Sequence, residues 1–179
     1  MIKLLLSDTS AYPWCQGSGI AFRGSFIANR VLYREQAAID FLAGRFKEKS
    51  LSDTLLELNG VFSIVIDNLE GVYLVADRVR SLPIFYAFEN DTFFISDQAQ
   101  NIYDALNNAT FDAVSIEDFK KNGLYVTGHD TLYCQIKQVQ AGEWVFYNHN
   151  TNQLLRRDYF LHGEGEIKHR NPQGLHEHF

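Results

Sequence analysis

Cysteine is scarce: Cys15 and Cys134 alone among 179 residues supply no disulfide framework and no Cys-x-x-Cys pair, so the expected setting is reducing and cytoplasmic. Long apolar runs are missing too. Spanning a bilayer takes roughly 20 consecutive apolar residues, and the longest runs here, such as Val61–Ile66, have strand length. The opening Met1–Asp8 has too short an apolar core for a secretory signal, with no small-residue cleavage site after it, and reads as a first strand. Basic charge is in deficit, 16 Lys and Arg against 22 Asp and Glu for a net charge of -6, with both signs interspersed. That pattern gives no footprint for nucleic acid or an anionic membrane surface. Internal repeats and low-complexity tracts are absent. His169, His176 and His178 lie in a polar tail with no accompanying cysteine and do not form a spaced metal site.

What is present is an ordinary globular composition, 46% hydrophobic, 21% charged and 14% aromatic, which excludes disorder for most of the chain. The length fits one domain with a short appendage. After the first strand, a loop over Thr9–Gly19 carries Pro13, Gly17 and Gly19, and Ile20–Phe26 reads as a strand interrupted or ended at Gly24. Asn29 is placed to cap an amphipathic helix over Leu32–Phe46, and Ser52-Asp53 to open a short helix that Asn59-Gly60 closes. Four apolar runs follow, Val61–Asp67, Gly71–Asp77, Ile84–Glu89 and Thr92–Ser96, separated by turn residues, which predicts an antiparallel meander. Because Val61–Ile66 is apolar at both alternating positions, something must cover each face of its sheet. Helices are expected over Gln98–Leu106 and from a Ser115/Asp118 capping box through Lys121 to Gly123. Short strands are expected at Thr131–Tyr133, Ile136–Val139, Glu143–Tyr147 and Gln153–Arg156, and beyond Phe160 the pattern stops. Cys134, within the stretch Thr131–Lys137, is read as packing.

The ordered set of motifs resembles the N-terminal glutaminase domain of the asparagine synthetase family, the class II glutamine amidotransferases. Leu58-Asn59-Gly60-Val61-Phe62 is similar to that family's Leu-Asn-Gly-x-Phe strand, and Ala76-Asp77-Arg78 with Leu82-Pro83-Ile84-Phe85-Tyr86 to its Arg-Asp-Arg and Lys-Pro-Leu-Tyr-Tyr stretch. Phe94-Ile95-Ser96-Asp97 stands where the family has Phe-Ala-Ser-Glu. Gly123–Val126, Thr131–Lys137, Val139–Gly142 and Arg157-Asp158-Tyr159 resemble its later blocks, in the same order. The resemblance implies an α+β fold, an N-terminal-nucleophile-type αββα sandwich of antiparallel sheets, truncated here at its N-terminus. It also implies a domain over residues 1–160, with 161–179 as a linker or the start of a missing C-terminal synthetase domain.

The family's chemistry needs a cysteine at the mature N-terminus, whose free α-amino group activates its own thiol for attack on the glutamine amide. This chain begins Met1-Ile2, and the family's Asn-Gly-Glu segment is matched only by Arg23-Gly24-Ser25, without the asparagine. The reading that follows is a degenerate glutaminase domain that scaffolds an ATP-dependent amide-forming synthetase, as the resemblance implies for β-lactam synthetases and lasso-peptide cyclases. The partner would be a synthetase domain in cis or a subunit in trans, with a homodimer also open. ATP and Mg would act in that domain, since no Ser-Gly-Gly-x-Asp-Ser loop occurs here. Two other readings stay open. Cys15 becomes the nucleophile if Met1–Trp14 is removed, although Gln16 stands where the family has glycine. Alternatively the chain is a free-standing binding module whose pocket uses Arg23, Gly24, Asp77 and Arg78 for a small amide or amino acid. For Asp77 and Arg78 a structural ion pair or turn contact is favoured.

Overall fold

Apolar side chains on both faces of the central strands have to be covered twice, and the computed structural model, which describes residues 1–7, 11–123 and 128–163, shows how. The described elements are β1 (Ile2–Leu5), β2 (Cys15–Gly17), β3 (Ile20–Ala28), β4 (Val31–Arg34), α1 (Glu35–Glu48), α2 (Leu51–Glu57), β5 (Asn59–Asp67) and β6 (Gly71–Ala76), followed by β7 (Phe85–Glu89), β8 (Thr92–Ser96), α3 (Ala99–Ala105), α4 (Ala113–Asn122), β9 (Lys137–Gln138), β10 (Glu143–Asn148) and β11 (Leu154–Asp158). A seven-stranded sheet runs β11-β10-β6-β5-β3-β2, with β4 also on β3, and a four-stranded sheet runs β1-β8-β7-β9. All pairings are antiparallel except β1 with β8.

Alternation along each strand sorts the core into layers. Phe22, Phe26, Phe62 and Ile64 face Ile39 and Leu42 of α1 and Leu55 of α2. Val65, Leu74 and Val145, on the other face of the same sheet, meet Tyr86, Phe93 and Ile95 of the four-stranded sheet. Ile102 and Leu106 cover the outer side of that second sheet against Ala87, Phe94 and Ile136. The result is the expected αββα order. Each fully buried Phe, Leu or Ile contributes about 1.5–3 kcal/mol, so the three clusters carry most of the stability.

Several expectations are corrected. The predicted meander is two hairpins, β5–β6 and β7–β8, lying in different sheets. The chain crosses between the layers after Ala76 because the buried Asp77 carboxylate accepts the amides of Val79 and Ser81 at 2.9 and 3.0 Å and so closes a turn there. Asn29 caps nothing: with Arg30 it forms the positive-φ turn (51° and 65°) of the β3–β4 hairpin, which takes Leu32 into a strand and starts α1 only at Glu35. Asn59-Gly60 opens β5 rather than closing α2, which is capped at its start by Ser50. The cap of α4 is Asp112, not Ser115, accepting the amides of Val114 and Ser115. Short strand β2 lies in the expected loop, Thr131–Tyr133 makes only an isolated bridge, from Tyr133 to Phe111, and Cys134 is exposed.

Nor does β3 stop at Gly24. Glycine lets it continue: with φ at +105°, Gly24 lies so close to β5 that a Cβ there would sit 2.0 Å from the Val61 carbonyl oxygen. Gly24→Ala is therefore expected to destabilise the fold by at least about 2 kcal/mol, read as a lower urea midpoint at unchanged slope.

Candidate functional site

Ala21 of β3 packs toward the second sheet, and alternation aims Arg23, two residues on, into the space between the layers, where it is 5% exposed. Its Nη1 donates to Asp97 Oδ2 at 2.8 Å and its Nη2 to the Pro83 carbonyl at 3.1 Å. The same carboxylate accepts the Trp14 indole Nε1 at 3.2 Å and the Ser7 amide at 3.1 Å, while the guanidinium lies 5.1 Å from the Trp14 ring centroid. Burial pulls the Arg23 guanidinium below its ordinary pKa and the Asp97 charge opposes that shift. One Arg–Asp pair thus ties β3, the end of β8, the β6–β7 connection and the N-terminal segment together. Arg23 Nε has no hydrogen-bond partner among the described residues.

Asp77 and Arg78 go elsewhere. Asp77 is fully buried, and its carboxylate is occupied by the amides of Phe62, Val79 and Ser81 and by the Ser81 hydroxyl. Arg78 donates to the Leu56 carbonyl at 2.8 Å and stacks 4.6 Å from the Phe160 ring centroid. The turn contact is present and the ion pair between these two residues is not. Beside them the buried Tyr159 hydroxyl donates to the Ala76 carbonyl at 2.8 Å, and desolvation, reinforced by the Asp77 charge and opposed by Arg78, raises its pKa well above the ordinary 10.0.

Of the four predicted residues, Gly24 opens onto a cavity. The backbone of Phe62, opposite it on β5, is bonded to Asp77 on its far side: Asp77 N donates to Phe62 O, and Phe62 N donates to the Asp77 side-chain Oδ2, both at 3.2 Å. In an antiparallel pair this orientation turns the Gly24 N–H and C=O away from β5, toward the outer edge. There β2 pairs only up to Phe22 and β4 only from Ser25, so no strand among the described residues stands opposite Gly24. The gap is a pocket of about 260 Å³, lined by Ala11, Tyr12, Pro13, Phe22, Gly24, Ser25, Arg34 and Glu35.

Cys15 lies next to this gap within β2, half-buried, paired with Phe22 and packed against the helix-side core. Arg23 and Gly24 are neighbours in sequence, but the first points between the sheets and the second opens at the edge. Asp97, Trp14, Arg34 and Glu35 were not read as site residues. Asp97 could have been found, since it ends a matched block; nothing local marks the others. No group of three His, Cys, Asp or Glu among the described residues is placed to hold a metal. His169, His176 and His178, and most of the Gly123–Val126 block, lie outside the described residues. No helix is long and apolar enough to cross a membrane among the described residues, which leaves β-barrels aside.

Residues 21–160 match the sequence family described as a glutamine amidotransferase domain. The microcin J25-processing protein McjC of Escherichia coli is 23% identical over 161 residues, covering 89% of this chain but 30% of that protein. Among solved structures, glutamine phosphoribosylpyrophosphate amidotransferase from B. subtilis, complexed with ADP and GMP, superposes with a TM-score of 0.50 at 12% identity over 82% of this chain and 30% of its own. This likeness shows the fold, that of the N-terminal-nucleophile amidotransferases. The chain spans under a third of the length of either relative.

Two outcomes are expected. Arg23→Ala, by leaving Asp97 buried and unpaired, should cost about 3–5 kcal/mol, and Arg23→Met with Asp97→Leu should recover most of it; chemical denaturation of the two variants beside the unaltered chain measures both. For Tyr159 the folded pKa lies above the unfolded one, so its contribution is complete below pH 10.0 and is lost as pH rises above that value. Tyr159→Phe should lose about 1 kcal/mol at neutral pH with the hydrogen bond, and show a shallower alkaline decline in urea stability than the unaltered chain.

Proposed function

The chain belongs to the family of glutamine amidotransferase domains, and from that premise we propose that it is a non-catalytic glutaminase-like domain of an asparagine-synthetase-like protein, scaffolding an ATP-dependent amide-forming synthetase domain that lies outside this sequence. The observation that carries the reading is the fate of position 23. By resemblance it matches the family's active-site asparagine, yet its guanidinium is engaged by Asp97 and Pro83 between the sheets. A side chain held there makes no contact with an amide at the Gly24 edge.

The nucleophile gives the second support. Cys15 is an internal strand residue, so its nitrogen is a peptide amide and has no basic lone pair to take the thiol proton. Exposing it would remove β1 from β8, along with two donors, the Ser7 amide and the Trp14 indole, that Asp97 now accepts. The sequence has no pyrophosphate loop, and so ATP and Mg would act in the synthetase domain. That this chain covers 30% of McjC supports a domain working inside a larger protein. Leu56, Val79 and Leu161, all exposed, lie around Arg78 near the last described residues and would offer the partner apolar area.

The test is ammonia release from L-glutamine by the purified chain, beside a Cys15→Ala control and with the N-terminus sequenced. The expected result is no release above the control from protein beginning at Met1 or Ile2. Release that Cys15→Ala abolishes, from protein beginning at Cys15, would establish an active amidotransferase instead.

A further inference from the structure

The opening at Gly24 is framed by two segments that both fail to fill it. Continuing the β2 register (Cys15 opposite Phe22) brings Pro13 opposite Gly24, and proline has no N–H to give to the Gly24 carbonyl. Continuing the β4 register (Arg34 opposite Ser25) brings Glu35 opposite Gly24, but there the chain turns away at φ +50°, an unfavourable value for glutamate, to begin α1. One residue's donor and acceptor are left facing a pocket of about 260 Å³. Arg34 and Glu35 both line it, both are exposed, and neither side chain makes an ion pair or hydrogen bond among the described residues.

We propose that this slot binds a short extended peptide, one residue of which bridges Gly24 as a missing piece of strand. The Gly24 N–H donates to a carbonyl of the bound peptide, and the Gly24 carbonyl accepts from the same residue's N–H, the arrangement of strand addition reduced to a single rung. Arg34 takes an acidic side chain beside that residue and Glu35 a basic one. A free amino acid satisfies this slot poorly, because its ammonium and carboxylate replace the neutral amide pair that the Gly24 backbone complements. The assignment goes beyond the scaffold reading and does not rest on whether Cys15 is inert.

The probe is the blocked tripeptide acetyl-glutamyl-glycyl-lysinamide, titrated into the 15N-labelled 179-residue chain, with free L-glutamine as competitor. Saturable shifts of the Gly24 and Glu35 amides are expected, with Arg34→Ala raising Kd at least threefold while leaving the remaining spectrum of the folded chain in place. Glutamine should neither reproduce nor displace them. The absence of saturable shifts at Gly24, or an Arg34→Ala chain that binds as well as the unaltered one, would overturn the proposal. Shifts produced at least as strongly by glutamine would assign the slot to single amino acids and overturn it as well. A glutaminase assay reads neither result, so the two proposals fail separately.

Discussion

A single buried ion pair, Arg23 with Asp97, holds the two sheets and the N-terminal segment in one arrangement. Its charges are 5% and 2% exposed, so neither is kept in place by solvent and each requires the other. The pair is stabilised by what else it collects: the Pro83 carbonyl on the guanidinium, and the Ser7 amide and Trp14 indole on the carboxylate. Replacing both charges by apolar residues of similar size would leave the layers packed; removing one would not. Ser63 adds a hydroxyl bond to the Leu82 carbonyl beside it, so the crossover from β6 to β7 is held from the seven-stranded sheet at two successive carbonyls.

The pair also decides what the edge of β3 can do. With Arg23 drawn inward and the Ser7 and Trp14 ends of the N-terminal loop both held on Asp97, the segment carrying Tyr12 and Pro13 becomes one wall of the Gly24 pocket. Gly24 itself must be glycine for β3 to approach β5, and the register there, with the Phe62 backbone turned to Asp77, leaves the Gly24 backbone groups facing outward. A position that in the resembling family serves amide chemistry is here divided, with the side chain given to structure and the backbone left open.

Much of this was legible in the sequence where a local rule decided the outcome. Runs apolar on both faces required a sheet covered twice, and Phe62 and Ile64 on one side with Val65 on the other meet that requirement. Gly123 ended its helix with a left-handed φ of 67°, as read. Failures came where a distant partner overrode local signals. Nothing within residues 71–96 states that the second hairpin belongs to another sheet: Asp77 closes the turn locally, but the Leu82 and Pro83 carbonyls beyond it are held by Ser63 and Arg23, residues far back in the chain. Asn29 has cap chemistry in isolation, but pairing of Ile27 with Leu32 across it makes it a hairpin turn. At the site, Arg23 and Gly24 were found through a motif, whereas Arg34 and Glu35 could not be, since their place beside Gly24 is a matter of strand register.

The central proposal is that no glutamine-directed nucleophile operates in this chain. Intact-mass and peptide mass spectrometry after incubation with a γ-diazoketone analogue of glutamine test it most directly, with iodoacetamide as the indiscriminate control. The account predicts that iodoacetamide labels the exposed Cys134 while the glutamine analogue leaves Cys15 unmodified. A stoichiometric adduct of the analogue on Cys15, suppressed by glutamine, would contradict it.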